Sequence, residues 1–114
     1  MLAKKVLIVD DEKDIVNVLK DYLSIFELDV NSAGSAENAL NILEFKRFDI
    51  IISDHMMPGI DGSEFTRIVK SLYPETIVIG ISGHPCKDAF INAGADEFLS
   101  KPINFDQLLE VILK

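Results

Sequence analysis

Six side chains in this sequence have types and spacings that could do chemistry together. Asp10, Asp11 and Glu12 directly follow the apolar run Val6–Val9, and Asp54 follows Ile50–Ile52 with only Ser53 between. Ser82 ends the stretch "IVIGIS", and Lys101 lies in "EFLSKP". Converging carboxylates raise one another's pKa and cannot all stay ionised without help. A hard divalent cation relieves that crowding. An all-oxygen donor set favours Mg²⁺, which uses one or two carboxylates and keeps several waters. A carboxylate left over, here Asp54, can attack a phosphoryl group and give an acyl phosphate. Lys101 and the Ser82 hydroxyl would then offset charge on the phosphoryl oxygens. No Gly-rich phosphate loop occurs, so a nucleotide is not the expected donor.

Whether these residues meet depends on the elements that carry them. The expected strands are Lys5–Val9, Leu28–Ser32, Asp49–Ser53, Thr76–Ile81 and Glu97–Leu99. Three contain continuous apolar runs, interrupted only by Gly80, as suits parallel strands buried on both faces. Between the strands lie segments of helical period. Ile15, Leu19, Tyr22, Leu23 and Phe26 share one face of the first. Ser35 caps the second, which carries Ala36, Ala39, Leu40 and Leu43. The third presents Phe65, Ile68, Val69 and Leu72 and stops before Pro74. In the fourth, Pro85 fits the first turn and Gly94 the left-handed position after the end. Asn104, with Gln107 three residues on, caps the last.

Five βα units in this order predict an α/β fold, a doubly wound five-stranded parallel sheet with right-handed crossovers. Ligands of such sheets bind outside the carboxyl ends of the strands, where strand order reverses. Strands 1, 3, 4 and 5 end in carboxylates, a carboxylate, a hydroxyl and an ammonium, whereas strand 2 ends in "SAGS". The order 2-1-3-4-5, that of a flavodoxin-like (βα)5 sheet, follows, and it makes strands 1 and 3 neighbours. Asp10 and Asp11 could instead simply cap the first helix. Their joint arrival with Asp54, Ser82 and Lys101 at one edge weighs against that reading.

At 114 residues the chain is one domain, residues 1–114, of ordinary globular composition. A net charge of −8, from 19 acidic and 11 basic residues, disfavours nucleic acid and anionic membrane surfaces as partners. The lone Cys86 cannot form an internal disulfide, and no leader or membrane-spanning run occurs. A cytoplasmic protein is expected.

The doublet Asp10–Asp11, the run from Asp54 through His55, Met56, Met57, Pro58, Gly59, Ile60 and Asp61 to Gly62, the pair Ser82–Gly83, and Lys101–Pro102 resemble the receiver domain of bacterial two-component response regulators. The resemblance covers essentially the whole chain. It implies that Asp54 accepts a phosphoryl group from the phosphohistidine of a sensor histidine kinase or phosphotransfer protein. It further implies that Asp11, Asp54 and the backbone carbonyl of Met56 ligate Mg²⁺ (Mn²⁺ substituting), with Asp10 assisting through water. Lys101 would contact the phosphoryl group beside a cis-favouring Lys101–Pro102 step. Ser82 and Phe98 would form a switch pair coupling the site to the face of helix 4, strand 5 and helix 5, where an unidentified downstream protein binds. Glu12 is read as only favouring the helix N-terminus, and Met56 and Met57 as packing residues. The resemblance makes the protein a signalling switch that assists its own phosphorylation and dephosphorylation, rather than a turnover enzyme. The chain length leads to the expectation of a stand-alone receiver. Met56 and His84 occupy positions that influence acyl-phosphate lifetime in receivers, and neither makes that lifetime readable.

Other readings stand beside this one. A Mg²⁺-dependent aspartyl phosphatase needs a general acid two residues after the nucleophile, where this chain has Met56. A degenerate, phosphorylation-independent adaptor conflicts with retention of the site residues. A transition-metal site from His55, His84, Cys86 and Asp54 matches no standard spacing. A DNA-binding regulator lacks a basic helix.

Overall fold

The computed structural model describes residues 3–114. Its elements run β1 (Lys5–Val9), α1 (Lys13–Ser24), β2 (Asp29–Ala33), α2 (Ala36–Leu43), β3 (Ile50–Asp54), α3 (Gly62–Leu72), β4 (Ile77–Ser82), α4 (Lys87–Asn92), β5 (Glu97–Ser100) and α5 (Phe105–Ile112). All strand pairs are parallel, and the sheet order is β2-β1-β3-β4-β5.

The period-two alternation of the central strands sorts their side chains between two cores. Val6, Ile8, Ile50, Ile52, Ile79 and Ile81 meet Val16, Leu19 and Leu23 of α1 and Leu108 and Ile112 of α5. Leu7, Val9, Ile51 and Val78 meet Ala36, Ala39 and Leu43 of α2, Phe65 and Val69 of α3, and Phe90 of α4. Fully burying each Leu or Ile contributes roughly 1.5–3 kcal/mol relative to exposure, which is why the apolar runs take the strand positions.

Side chains set the helix ends. Ser35 Oγ accepts from the Asn38 N–H at 3.1 Å and Asn104 Oδ1 from the Gln107 N–H at 3.0 Å, the two caps expected. Asp61, expected only as turn chemistry, caps α3 by accepting from the Glu64 N–H at 2.8 Å. Gly94 holds the left-handed position after α4, with φ +105°. Three expectations are corrected. Pro85 lies outside α4, which begins at Lys87 after Cys86. Phe26 lies beyond the end of α1, whose last buried residue is Leu23, and Leu72, the last residue of α3, is 60% exposed. Of Met56 and Met57, only Met57 packs into the core, while the Met56 side chain is exposed.

β2, β3 and β4 are each shifted about one residue later than the apolar runs suggest. A parallel ladder continues wherever both neighbours offer backbone partners, whatever the side chain. Asp54 therefore pairs with Ile81, and Ser82 with Ser100. Both reactive candidates are the last residues of strands rather than loop residues.

Candidate functional site

The order β2-β1-β3 reverses direction between β1 and β3, so their carboxyl ends open the crevice that such sheets use for ligands. Asp10 stands just beyond β1, its backbone N–H held by the Ala33 carbonyl of β2 at 3.1 Å. Its Oδ1 accepts from the Glu12 N–H at 2.9 Å, which fixes the carboxyl and opens α1. Asp54 ends β3 beside it. Both residues are buried, at 2% and 5% exposure. The Ser53 hydroxyl, also buried, donates to the Asp54 carbonyl at 2.9 Å and leaves the Asp54 carboxylate to the crevice.

Lys101 arrives from the far side. Its backbone N–H is held by the Ser82 carbonyl at 2.9 Å, and the Lys101–Pro102 bond is cis, as expected. Its Nζ lies 3.2 Å from Asp54 Oδ1, 3.4 Å from Asp10 Oδ2 and 3.7 Å from Glu12 Oε1. Ser82 is buried, and its Oγ accepts from the His84 N–H at 3.0 Å, leaving the hydroxyl proton to donate elsewhere.

The electrostatics follow from burial and proximity. Desolvation raises the Asp10 pKa above 3.8, and the Asp54 charge raises it further, against the Glu12 N–H and Lys101, which lower it. Burial alone would lower the Lys101 pKa. Asp10 and Asp54 outweigh that effect and raise it above 10.5, so the ammonium stays charged.

The structure brings Asp10, Glu12, Asp54, Ser82 and Lys101 to one edge. Asp11 is exposed, and the carboxylates whose oxygens lie within 4.8 Å of one another are those of Asp10, Glu12 and Asp54. Glu12 is the residue that sequence reasoning left at the helix terminus. It occupies the N-cap position of α1 but makes no side-chain cap, and its carboxylate reaches Lys101 instead. The signal was present in the run of three acids, but a helix-terminal acid and a site acid are identical in sequence. Phe98, the switch candidate, is half-buried, with its ring 5.8 Å from that of Phe90.

A donor set of oxygens alone fits a hard cation such as Mg²⁺. Among the described residues, no metal-holding group combines His55, His84 and Cys86, so the transition-metal reading is withdrawn. The His55 ring packs edge-on against Phe90 instead.

The fold is a doubly wound α/β sheet with acids at its switch point and a lysine closing over them. The sequence matches the response regulator receiver domain over residues 6–113, and the chain belongs to that family. Response regulator protein PilR of Pseudomonas aeruginosa is 33% identical over 98% of this chain and 26% of its own length. The chain spans between 24% and 48% of the length of such curated relatives. Among solved structures, chemotaxis protein CheY4 of Vibrio cholerae superposes with a TM-score of 0.90 at 32% identity, covering 98% of each chain. Response regulator protein TrrA of Thermotoga maritima, solved in complex with Mg²⁺-BeF, gives 0.89 at 30% identity, covering 96% of each. Receiver domains serve phosphorylation-based two-component signalling and bind Mg²⁺ at an acidic pocket; histidine kinases supply their phosphoryl groups. Among the described residues, no helix is long and apolar enough to cross a membrane.

Proposed function

We propose that Asp54 takes a phosphoryl group from the phosphohistidine of a sensor kinase or phosphotransfer protein, and that the resulting acyl phosphate switches protein binding at the α4–β5–α5 face. The observation that carries this reading is the placement of Lys101 Nζ 3.2 Å from Asp54 Oδ1 at the switch point of the sheet. A carboxylate oxygen of Asp54 attacks phosphorus, the phosphorus–nitrogen bond of the donor breaks, and its electron pair returns to the imidazole, which takes up a proton. Lys101 donates to the phosphoryl oxygens, and the free hydroxyl proton of Ser82 reaches another. Strand pairing fixes Asp54 and Ser82, so the approach geometry is set before the donor arrives.

Bound Mg²⁺ would neutralise charge that accumulates on the phosphoryl oxygens. Asp10, Asp11, Asp54 and the Met56 carbonyl are the proposed holders, and the Glu12 carboxylate faces the same site. Ser82 and Phe98 are the proposed switch pair. The exposed thioether of Met56 carries no proton for an ester leaving group, which disfavours turnover of phosphate esters.

Incubation with Mg²⁺ and acetyl phosphate, followed by intact-mass measurement, tests the proposal. One phosphoryl adduct is expected, lost in Asp54→Asn and on chelation. Turnover of phosphate esters without an adduct would establish the phosphatase instead.

A further inference from the structure

We infer that Phe90 is a positioning residue that fastens α4 to the backbone of the acceptor Asp54, through a seat formed by two glycines. The inference rests on the role proposed for Asp54 and adds a regulatory route to it. α4 has six residues, and Phe90 is its one buried side chain. Within the helix itself, that ring is the anchor, between the partly buried cap Cys86 and the buried cap Ala93.

That ring sits where no β-carbon could fit. A Cβ built on Gly80 would stand 2.5 Å from the ring's Cγ and Cδ1, so the ring lies directly on the β4 backbone. Gly80 pairs with Ser53 of β3 and Phe98 of β5, which places the ring on the row next to the acceptor. A Cβ on Gly62 would stand 2.7 Å from Phe90 Cζ, 2.8 Å from His55 Cα and 2.1 Å from the Asp54 carbonyl oxygen. The Gly62 N–H also donates to the His55 carbonyl at 2.9 Å. The ring of α4, the first residue of α3 and the peptide joining Asp54 to His55 therefore share one close-packed point.

The His55 ring meets Phe90 edge-on at 5.4 Å, and its buried Nδ1 has no hydrogen-bond partner, so that atom adds no polar tether. Phe98 packs on Phe90 at 5.8 Å. Close-packed contacts of this kind transmit displacement because they have no free volume to absorb it. Coupling of this sort is reciprocal. A protein that grips α4 alters the reactivity of Asp54, and phosphorylation of Asp54 alters the seating of α4.

Two variants of the full chain approach the seat from opposite sides. Phe90→Leu shrinks the ring, and Gly80→Ala pushes it out while leaving it intact; neither touches the Asp54 carboxylate. Hydrogen exchange of the unphosphorylated protein reads the anchoring. In both variants the amides of residues 87–92 and the Gly62 amide exchange faster by about tenfold, while the amides of α5 keep their protection. The rate of adduct formation with Mg²⁺ and acetyl phosphate falls severalfold in both. Phe45→Ala, exposed beyond the end of α2, changes neither readout. Loosening of α4 with an unchanged Gly62 amide and unchanged adduct rate would reduce Phe90 to local packing and overturn the inference. Should Gly80→Ala fail to fold, Phe90→Leu decides alone. If the wild-type protein forms no adduct, the Asp54 role fails, and the Gly62 amide still decides the anchoring.

Discussion

The Lys101 ammonium lies 3.2 Å from Oδ1 of Asp54, and both side chains are largely withdrawn from solvent, at 17% and 7% exposure. The lysine therefore stands among acids that would otherwise face one another uncompensated, with Asp10 Oδ2 at 3.4 Å. Replacing it by the apolar Lys101→Met leaves buried carboxylates without that partner. Removing one member of such a set costs about 1–3 kcal/mol. Urea unfolding in a chelator shows that loss, and saturating Mg²⁺ recovers most of it because the cation supplies the missing charge. Equal stability of the two proteins in chelator would show that the lysine is not neutralising the cluster.

Ser82 reads differently. Its oxygen accepts from the His84 N–H, so Ser82→Ala removes one acceptor in a loop and one donor to the proposed phosphoryl oxygens. A hydrogen bond of about 1.4 kcal/mol corresponds to about tenfold in rate. Adduct formation from acetyl phosphate slows by about that factor, with stability changed by less than about 1.5 kcal/mol. A full-rate adduct in Ser82→Ala removes the hydroxyl from the chemistry.

The α3 cap gives a pH dependence remote from the site. The Glu64 N–H, more than any other group, lowers the Asp61 pKa below 3.8, assisted by the Ser63 hydroxyl and opposed by partial burial. A carboxylate whose folded pKa is lowered adds stability that is fully present above its unfolded value and fades as pH falls through the folded one. Asp61→Ala therefore costs about 1 kcal/mol at neutral pH. The gap to wild type is full above about pH 4 and narrows as pH falls below it, as thermal melts across that range will show. A gap that persists unchanged in acid would mean that the capping charge contributes nothing.

Asp11 and Glu12 can be told apart by metal affinity. The receiver pattern gives Asp11 the direct contact, whereas the geometry gathers Glu12 with Asp10 and Asp54. The Glu12 side chain is 60% exposed, so its charge is well screened. Asp11→Asn weakens Mg²⁺ binding by tenfold or more, and Glu12→Gln by about twofold to threefold, in a calorimetric titration. The reverse ranking would transfer the ligand role to Glu12.

How much of this was legible beforehand depended on the kind of signal. The sheet order followed from one asymmetry, the charged or hydroxyl ends of four strands against "SAGS" after the remaining strand, because chemistry gathers at carboxyl ends. The caps at Ser35 and Asn104 were legible because capping is local, one oxygen meeting an amide three residues on. The seating of Phe90 was not. It depends on Gly80 and Gly62, eighteen residues apart in the chain and joined only by tertiary packing, so each read locally as an interruption or a turn. The direction of the Glu12 carboxylate is not legible for a related reason. Its N-cap position is a local property, whereas the direction of its carboxylate depends on Lys101, carried by the distant β5 end.

The central claim is that Asp54 alone carries the phosphoryl group and does so with Mg²⁺. Borohydride reduces an acyl phosphate to the corresponding alcohol, so a phosphorylated aspartate becomes homoserine. Peptide mapping after incubation with acetyl phosphate, Mg²⁺ and borohydride tests the claim most directly. Homoserine is expected at position 54 with Mg²⁺ and none after chelation. Homoserine at Asp10 or Asp11, or at no position, would contradict it.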